Sequence, residues 1–340
     1  MSTVAVVGAT GYTGMELVRL LARHPHVKTL RIYGSDRSAG QEWATVAPRL
    51  RHLHDGMVES FEATAVEGMD AVFLALPHGH SGETAKALHG SVGCVIDLSG
   101  DLRLSDATLY DRWYGRKAAA PDLLGEAVYG LPEIDRKELP GATLISNPGC
   151  YATAVTLAIV PALAAEGLCG EDIVVTAVSG ASGAGKKADA NLLSAELHGN
   201  LRAYRIGAHQ HVPEVLQTIE RATDGRRPKL TFVPQVAAFD RGILAIATLP
   251  LKPGQTRDDV VRAYVARYAD CPFVRLALQR PPEIADVVGT NFCDIYLDVD
   301  TTGHRIVAIA AIDNLVKGAA GQAIQNWNIA RGDAETVGLM

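Results

Sequence analysis

The stretch that decides the fold is Val4-Ala5-Val6-Val7-Gly8-Ala9-Thr10-Gly11-Tyr12-Thr13-Gly14-Met15-Glu16-Leu17-Val18-Arg19-Leu20-Leu21-Ala22. Four apolar residues in a row suit a short strand buried on both faces. From Glu16 to Ala22 the apolar residues recur at helical spacing. Gly8, Gly11 and Gly14 stand between strand and helix, where glycine permits a tight turn and close backbone approach to a ligand. A helix N-terminus opened in this way offers its amides to a pyrophosphate. The position after the first strand and before the first helix favours a dinucleotide-binding turn over a turn chosen for sterics alone. Gly8, Thr10, Gly11, Tyr12 and Gly14 are the candidate cofactor contacts.

Outward from this motif, His26 to Tyr33 reads as a second strand. Ala71 to Leu76 and Cys94 to Leu98 are almost wholly apolar, as strands covered by helices on both faces must be. Helical segments such as Ser81 to His89 lie between them, so the α/β pattern predicts a Rossmann-type, doubly wound parallel sheet. After about residue 148 the character changes. Ile173 to Ser179, Leu230 to Ala238 and Ile243 to Leu249 are strand-like. Within Asn291 to Asp300, Cys293, Ile295, Leu297 and Val299 alternate with Asp294, Tyr296, Asp298 and Asp300, which predicts one buried and one wet face. Thr256 and Asp259 form a helix start before an apolar-periodic run to Tyr268. The reading is an α+β second domain with a mixed, largely antiparallel sheet. The expected boundaries are 1–148, 149–312 and 313–340.

A chain of 340 residues suits two domains, and 48% hydrophobic with 21% charged residues excludes a mainly disordered protein. A net charge of −6, without a basic run, argues against nucleic acid as a partner. The longest apolar stretch, Ala152 to Ala165, contains Pro161 and is short of the roughly 20 residues that span a bilayer. No basic region precedes the apolar start, so a signal peptide and a membrane partner are not expected. Five scattered cysteines without a CxxC pair argue against a disulfide framework or a zinc site and suit the cytoplasm.

Three segments carry chemistry. In Ser146-Asn147-Pro148-Gly149-Cys150-Tyr151, Cys150 opens an apolar helix, where the positive helix end and first amides favour thiolate and oxyanion. His209-Gln210-His211, followed by Glu214 at a helix start, offers the base a thiol nucleophile needs. Two histidines without a third ligand give no metal site. Ser179-Gly180-Ala181-Ser182-Gly183-Ala184-Gly185-Lys186-Lys187 has Walker spacing, but Lys187 replaces the magnesium ligand; what remains is a backbone cradle for an anion, cofactor or acyl phosphate. At the end of the second strand, Ser35, Arg37 and Ser38 suit the 2′-phosphate of NADP, whereas Asp36 beside them would repel it.

Together these segments resemble the N-acetyl-gamma-glutamyl-phosphate reductase family of arginine biosynthesis. The matching stretches are Gly8–Gly14, Leu76-Pro77-His78-Gly79, Asp97-Leu98-Ser99-Gly100-Asp101-Leu102-Arg103, Asn147–Tyr151, Ser179–Lys186, His209–Glu214 and Asp313–Ala323, in the family's order. The resemblance implies a fold shared with aspartate-semialdehyde dehydrogenase, a last helix returning to the nucleotide domain, and a homodimer or homotetramer. It implies Cys150 as nucleophile and His209 as acid/base. Arg103, Asn147, Tyr204, His211 and Glu214 would be substrate contacts, and Pro77, Ser179, Gly180 and Asn314 cofactor contacts. The implied reaction is NADPH-dependent reduction of an acyl phosphate to an aldehyde, with release of phosphate. The same chemistry on aminoadipyl or aspartyl phosphate, and a non-catalytic NADP sensor, are the alternatives.

Overall fold

The computed structural model describes residues 1–300, 302 and 304–340. The chain forms two compact units, residues 1–149 with 319–340, and residues 150–318. Residues 313–318, which the sequence groups with the closing segment, lie in the second unit.

The first unit holds seven parallel strands: β1 (Ser2–Val7), β2 (Val27–Gly34), β3 (Glu59–Ser60), β4 (Ala71–Leu74), β5 (Val95–Asp97), β6 (Val128–Tyr129) and β7 (Leu144–Ser146). Their order is β3-β2-β1-β4-β5-β7-β6. Val4 pairs with Leu30 on one side and Ala71 on the other, so the order reverses between β1 and β4. Open parallel sheets bind ligands at such a reversal, outside the carboxyl ends of the strands. Val4, Ala5, Val6, Val72, Phe73, Val95 and Ile96 are fully buried, which explains why these strands read as continuous apolar runs. The helix Tyr12–Leu21 turns Leu17, Val18 and Leu21 inward. The last helix, Gly321–Ala330, is part of this unit, with Trp327 fully buried and its ring 5.8 Å from Phe73 and 5.3 Å from His24.

The second unit contains β8 (Asp172–Gly180), β9 (Leu201–Ala203), β10 (Lys229–Ala237), β11 (Ile243–Pro250), β12 (Val274–Leu276), β13 (Cys293–Asp300) and β14 (Arg305–Ile312), in the order β12-β13-β14-β11-β8-β10-β9. The pairs β8/β10 and β12/β13 are parallel and the other four antiparallel. Helices Cys150–Ala164, His211–Ala222 and Arg257–Tyr268 pack against this sheet. Ile173, Val175, Ala245 and Leu249 are buried, whereas Val174 and Ile246 on the opposite face are each 37% exposed. In β13 the alternation holds for Cys293, Ile295 and Leu297, but Asp294 is buried as well. Arg275 explains the exception: its Nε and Nη2 donate to the two carboxylate oxygens at 2.6 and 2.8 Å.

The helix Cys150–Ala164 is apolar all round because residues 151–163 are all buried. Pro161 lies inside it and has no N–H for the carbonyl of Leu157. Tyr268 fills the gap, its hydroxyl donating to Leu157 O at 2.6 Å. The helix that carries Tyr268 starts with the expected cap: Thr256 accepts from Asp259 N, and Asp259 accepts from Thr256 N at 2.7 Å.

Candidate active site

In the first unit the glycine turn is built by contact. Gly8 has φ +86°, and a Cβ there would stand 2.4 Å from Ala75 O. A Cβ at Gly14 would stand 2.2 Å from Gly8 O, so helix and turn touch through backbone alone. Gly11 is different: its nearest atom would be 3.6 Å away. Gly11 precedes the first helical residue and has no side chain to cap it, and no carboxylate lies in the first turn. A helix start with no side-chain cap and no carboxylate in its first turn suits a ligand's negative charge, and these residues fit a dinucleotide pyrophosphate. Thr10 and Tyr12 flank Gly11. Ser35, Asp36 and Arg37 are exposed at the end of β2, where Ser38 Oγ donates to Ser35 O at 3.0 Å.

Pro77 is exposed in the loop after β4. Asp101, fully buried, holds that loop: it accepts from Gly79 N and Gly82 N at 2.9 Å and pairs with Arg116. Gly100 N donates to His78 Nδ1 at 2.7 Å. Asp97 accepts from Ser99 N and Oγ at 2.8 and 2.9 Å and from the Ser81 hydroxyl, and burial pushes its carboxyl above the ordinary range. The sequence shows both carboxylates after an apolar strand, but their role as loop clamps is visible only once the strand is paired.

Arg103 and Asn147 are tied into the framework of this unit. Arg103 is buried, and its Nε and Nη2 donate to the carbonyls of Asn147 and Leu98, both at 2.8 Å. Asn147 Nδ2 donates to Ala319 O at 3.1 Å, and its Oδ1 accepts from Asn326 Nδ2 at 3.1 Å.

In the second unit Cys150 is the first residue of its helix and half-buried, while Cys94, Cys169 and Cys293 are buried. Beside it the Tyr151 hydroxyl donates to Gln235 O at 2.6 Å. Burial pushes the Tyr204 phenol up to about 12 and that of Tyr151 further, so both keep their protons at neutral pH. The turn at Arg205 (φ 45°) and Gly207 (φ 72°) delivers His209 to the same place. Its ring lies 5.4 Å from Tyr151, 5.7 Å from Tyr204, 4.8 Å from His211 and 5.3 Å from Phe232. His209 Nδ1 accepts from His211 N at 3.2 Å, which assigns the proton of the neutral ring to Nε2. Burial, and then the charge of Arg205, lower His209 to about 4. Glu214 is fully buried in the first turn of the helix His211–Ala222. Cys150, Tyr151, Tyr204, His209 and His211 thus form one cluster of a half-buried thiol, two imidazoles, that of His209 neutral, and two protonated phenols.

The glycine loop after β8 is less open than its sequence implies. The amides of Gly180, Ala181 and Ser182 donate to the carbonyls of Gly242, Phe239 and Asp240 at 2.9–3.0 Å. A Cβ at Gly180 would stand 2.6 Å from Arg241 N, so this glycine serves a loop-to-loop contact. Asn314 joins the same two loops, accepting from Gly242 N at 2.6 Å and donating to Ser182 Oγ at 3.0 Å. Ser179 Oγ donates to Gly180 O at 3.0 Å.

Two family models match the chain: the NAD-binding domain of semialdehyde dehydrogenases over residues 3–142, and their dimerisation domain over residues 150–314. The N-acetyl-gamma-glutamyl-phosphate reductase of Symbiobacterium thermophilum is 44% identical over 99% of this chain and 97% of its own length. The chain belongs to the N-acetyl-gamma-glutamyl-phosphate reductase family. A second reductase, from Geobacillus stearothermophilus, is 43% identical over 100% of this chain and 98% of its own. Solved structures extend the likeness in fold. Aspartate semialdehyde dehydrogenase II of Vibrio cholerae superposes with TM-score 0.73 at 17% identity, over 97% of this chain and 98% of that one. The Candida albicans aspartate semialdehyde dehydrogenase with NADP gives 0.69 at 15% identity, over 97% and 100%. In this reductase, sequence reasoning assigns no role to Tyr151, Phe232, Asp97 and Asp101; of these, only Phe232 lies outside every segment that carried the resemblance.

Proposed function

We propose that the chain reduces N-acetyl-L-glutamyl 5-phosphate to N-acetyl-L-glutamate 5-semialdehyde and phosphate, with NADPH, through a thioester on Cys150. The observation that carries the reading is the cluster of Cys150 with His209 and Tyr204, in a chain that matches reductases of that name over its whole length. The Cys150 thiolate attacks the acyl carbon, the C–O bond to phosphate breaks, and a thioester remains. The first amides of the Cys150 helix, helped by the Tyr204 hydroxyl, hold the oxyanion. When bound, NADPH supplies the hydride that reduces the thioester carbonyl. His209, neutral at rest, takes the thiol proton through one ring nitrogen and returns it as the thiohemiacetal collapses, freeing the thiol. In the resting tautomer Nε2 carries the hydrogen and Nδ1 holds the lone pair, so the ring gives up its bond from His211 N and moves that hydrogen to Nδ1 before Nε2 takes the thiol proton. His211 and Glu214 hold His209 and the substrate from behind, while Arg103 and Asn147 act by fixing the loops they bind. Ser35, Arg37 and Ser38 are the contacts for the 2′-phosphate.

The chain works in the cytoplasm as a homodimer or homotetramer. The match to a dimerisation domain and the exposed apolar face of the second sheet, with Val174 and Ile246, support the assembly. Among the described residues no helix is long and apolar enough to cross a membrane.

The reverse reaction tests the whole reading: N-acetylglutamate semialdehyde, phosphate and NADP, followed at the reduced-nicotinamide band. Phosphate-dependent NADPH formation, abolished by Cys150→Ser with NADP binding kept, is the expected result. Activity with aspartate semialdehyde alone would move the substrate, and silence with every aldehyde despite NADP binding would leave a sensor.

A further inference from the structure

Residues Val316–Ala320 form a single π-helical turn, a wide and uncommon geometry that occurs mostly at functional sites. Its bond from Gly318 N to Asp313 O, 2.9 Å long, spans five residues. Asp313 is itself fixed: its carboxylate accepts from Gly289 N and Leu315 N at 2.6 and 2.9 Å and pairs with Arg241 at 2.9 Å. The turn is therefore anchored before it reaches Gly318.

Gly318 lies against the cysteine. A Cβ at this position would stand 2.7 Å from Cys150 Cβ, 3.1 Å from Cys150 Cα and 3.3 Å from Ile312 Cδ1. Ile312 Cδ1 is the end of a flexible side chain and can swing aside. The Cys150 atoms are backbone and the root of the side chain, and they move only if the helix start moves. Gly318 is not among the glycines with positive φ, so its backbone conformation does not require glycine. The contact requires it.

We propose that Gly318 is a positioning residue for the reaction: the anchored π turn presses a bare Cα against Cys150 and so fixes where the sulfur points. This rests on the reading of Cys150 as nucleophile. In an enzyme that must bring sulfur, acyl carbon and hydride donor into line, a displacement near 1 Å can cost about 100-fold in rate. The residue acts through Cys150 and touches neither substrate nor cofactor in this account.

The test is Gly318→Ala in the full chain. We expect kcat to fall about 100-fold, with KM and the Kd for NADPH within about twofold of the parent. The rate of Cys150 alkylation by iodoacetamide, read peptide by peptide against pH, should shift as well, which a merely structural role would not produce. Two backgrounds guard against simple misfolding. The drop in melting temperature caused by Gly318→Ala should shrink in Cys150→Gly, which removes the Cβ at 2.7 Å and leaves the Cα at 3.1 Å, and should persist in full in Ile312→Val. Parent-like kcat and alkylation in Gly318→Ala, or rescue by Ile312→Val, would overturn the proposal while leaving the thioester chemistry intact. Turnover that survives Cys150→Ser would instead sink the thioester reading and this inference with it.

Discussion

His209 sets the pH behaviour of the site. Its pKa is about 4 in the folded chain against an ordinary 6.5, because burial disfavours the imidazolium. The unfolded chain therefore takes up this proton first as pH falls. Stability is full above pH 6.5 and declines towards pH 4, by about 3 kcal/mol from this residue. Urea unfolding at pH 7 and pH 4.5 should show most of that difference, reduced but not abolished in His209→Asn, since burial also lowers His24. An unchanged slope in the variant would mean that His209 is not the desolvated group. The same variant should lose about 10²–10⁴-fold in kcat in a steady-state assay.

At the scale of elements, two pairs of substitutions separate causes that sequence alone merges. Gly8 and Gly11 look alike in the motif, yet Gly8 meets Ala75 O and has φ +86°, while Gly11 has room. Gly8→Ala should destabilise the first unit by about 1–3 kcal/mol and weaken NADPH binding. Gly11→Ala should leave stability nearly unchanged, as thermal melts and fluorescence titration with NADPH would show. Equal losses would refute the close-contact account. In the second unit, Tyr268→Phe removes the donor to Leu157 O and should cost about 1–3 kcal/mol. In a Pro161→Ala background the restored N–H can fill that carbonyl, and most of the loss should disappear.

These cases show what was legible in the sequence. The parallel sheet could be read because strands covered on both faces are uniformly apolar, and the place of Cys150 at a helix start because the apolar run after it is distinctive. The commitments of Arg103, Asn147 and Asn314 could not. Each binds groups distant in the chain, as when Asn147 reaches Ala319 or Asn314 joins residues 182 and 242. The loop after β8 misled for the same reason: its glycine spacing suggests an open cradle, but a loop near residue 240 occupies the amides. Phe232 is one of many apolar residues in a strand, and only the packing places it on His209.

At the scale of the whole molecule, the uncovered face of the second sheet is the feature that predicts behaviour in solution. Val174 on β8 and Ile246 on β11 are β-branched, apolar and exposed, a combination that favours burial against another copy. Ile246→Asp should shift sedimentation from the oligomer towards the monomer without abolishing the fold. An oligomer unchanged in mass and stability would place the interface elsewhere.

The first unit is also assembled from two ends of the chain. Trp327, fully buried beside Phe73 and His24, arrives only after the roughly 170 residues of the second unit have been made. At about 5–20 residues per second, a ribosome needs on the order of 10–30 s to add that stretch. Throughout that interval the nascent dinucleotide sheet lacks its last helix and exposes the apolar slot meant for it. Translation speed and chaperone supply are therefore expected to govern the yield of this protein more than its final stability does, and a chain cut short after residue 318 would keep every residue of the cysteine–histidine cluster while leaving its partner unit unfinished.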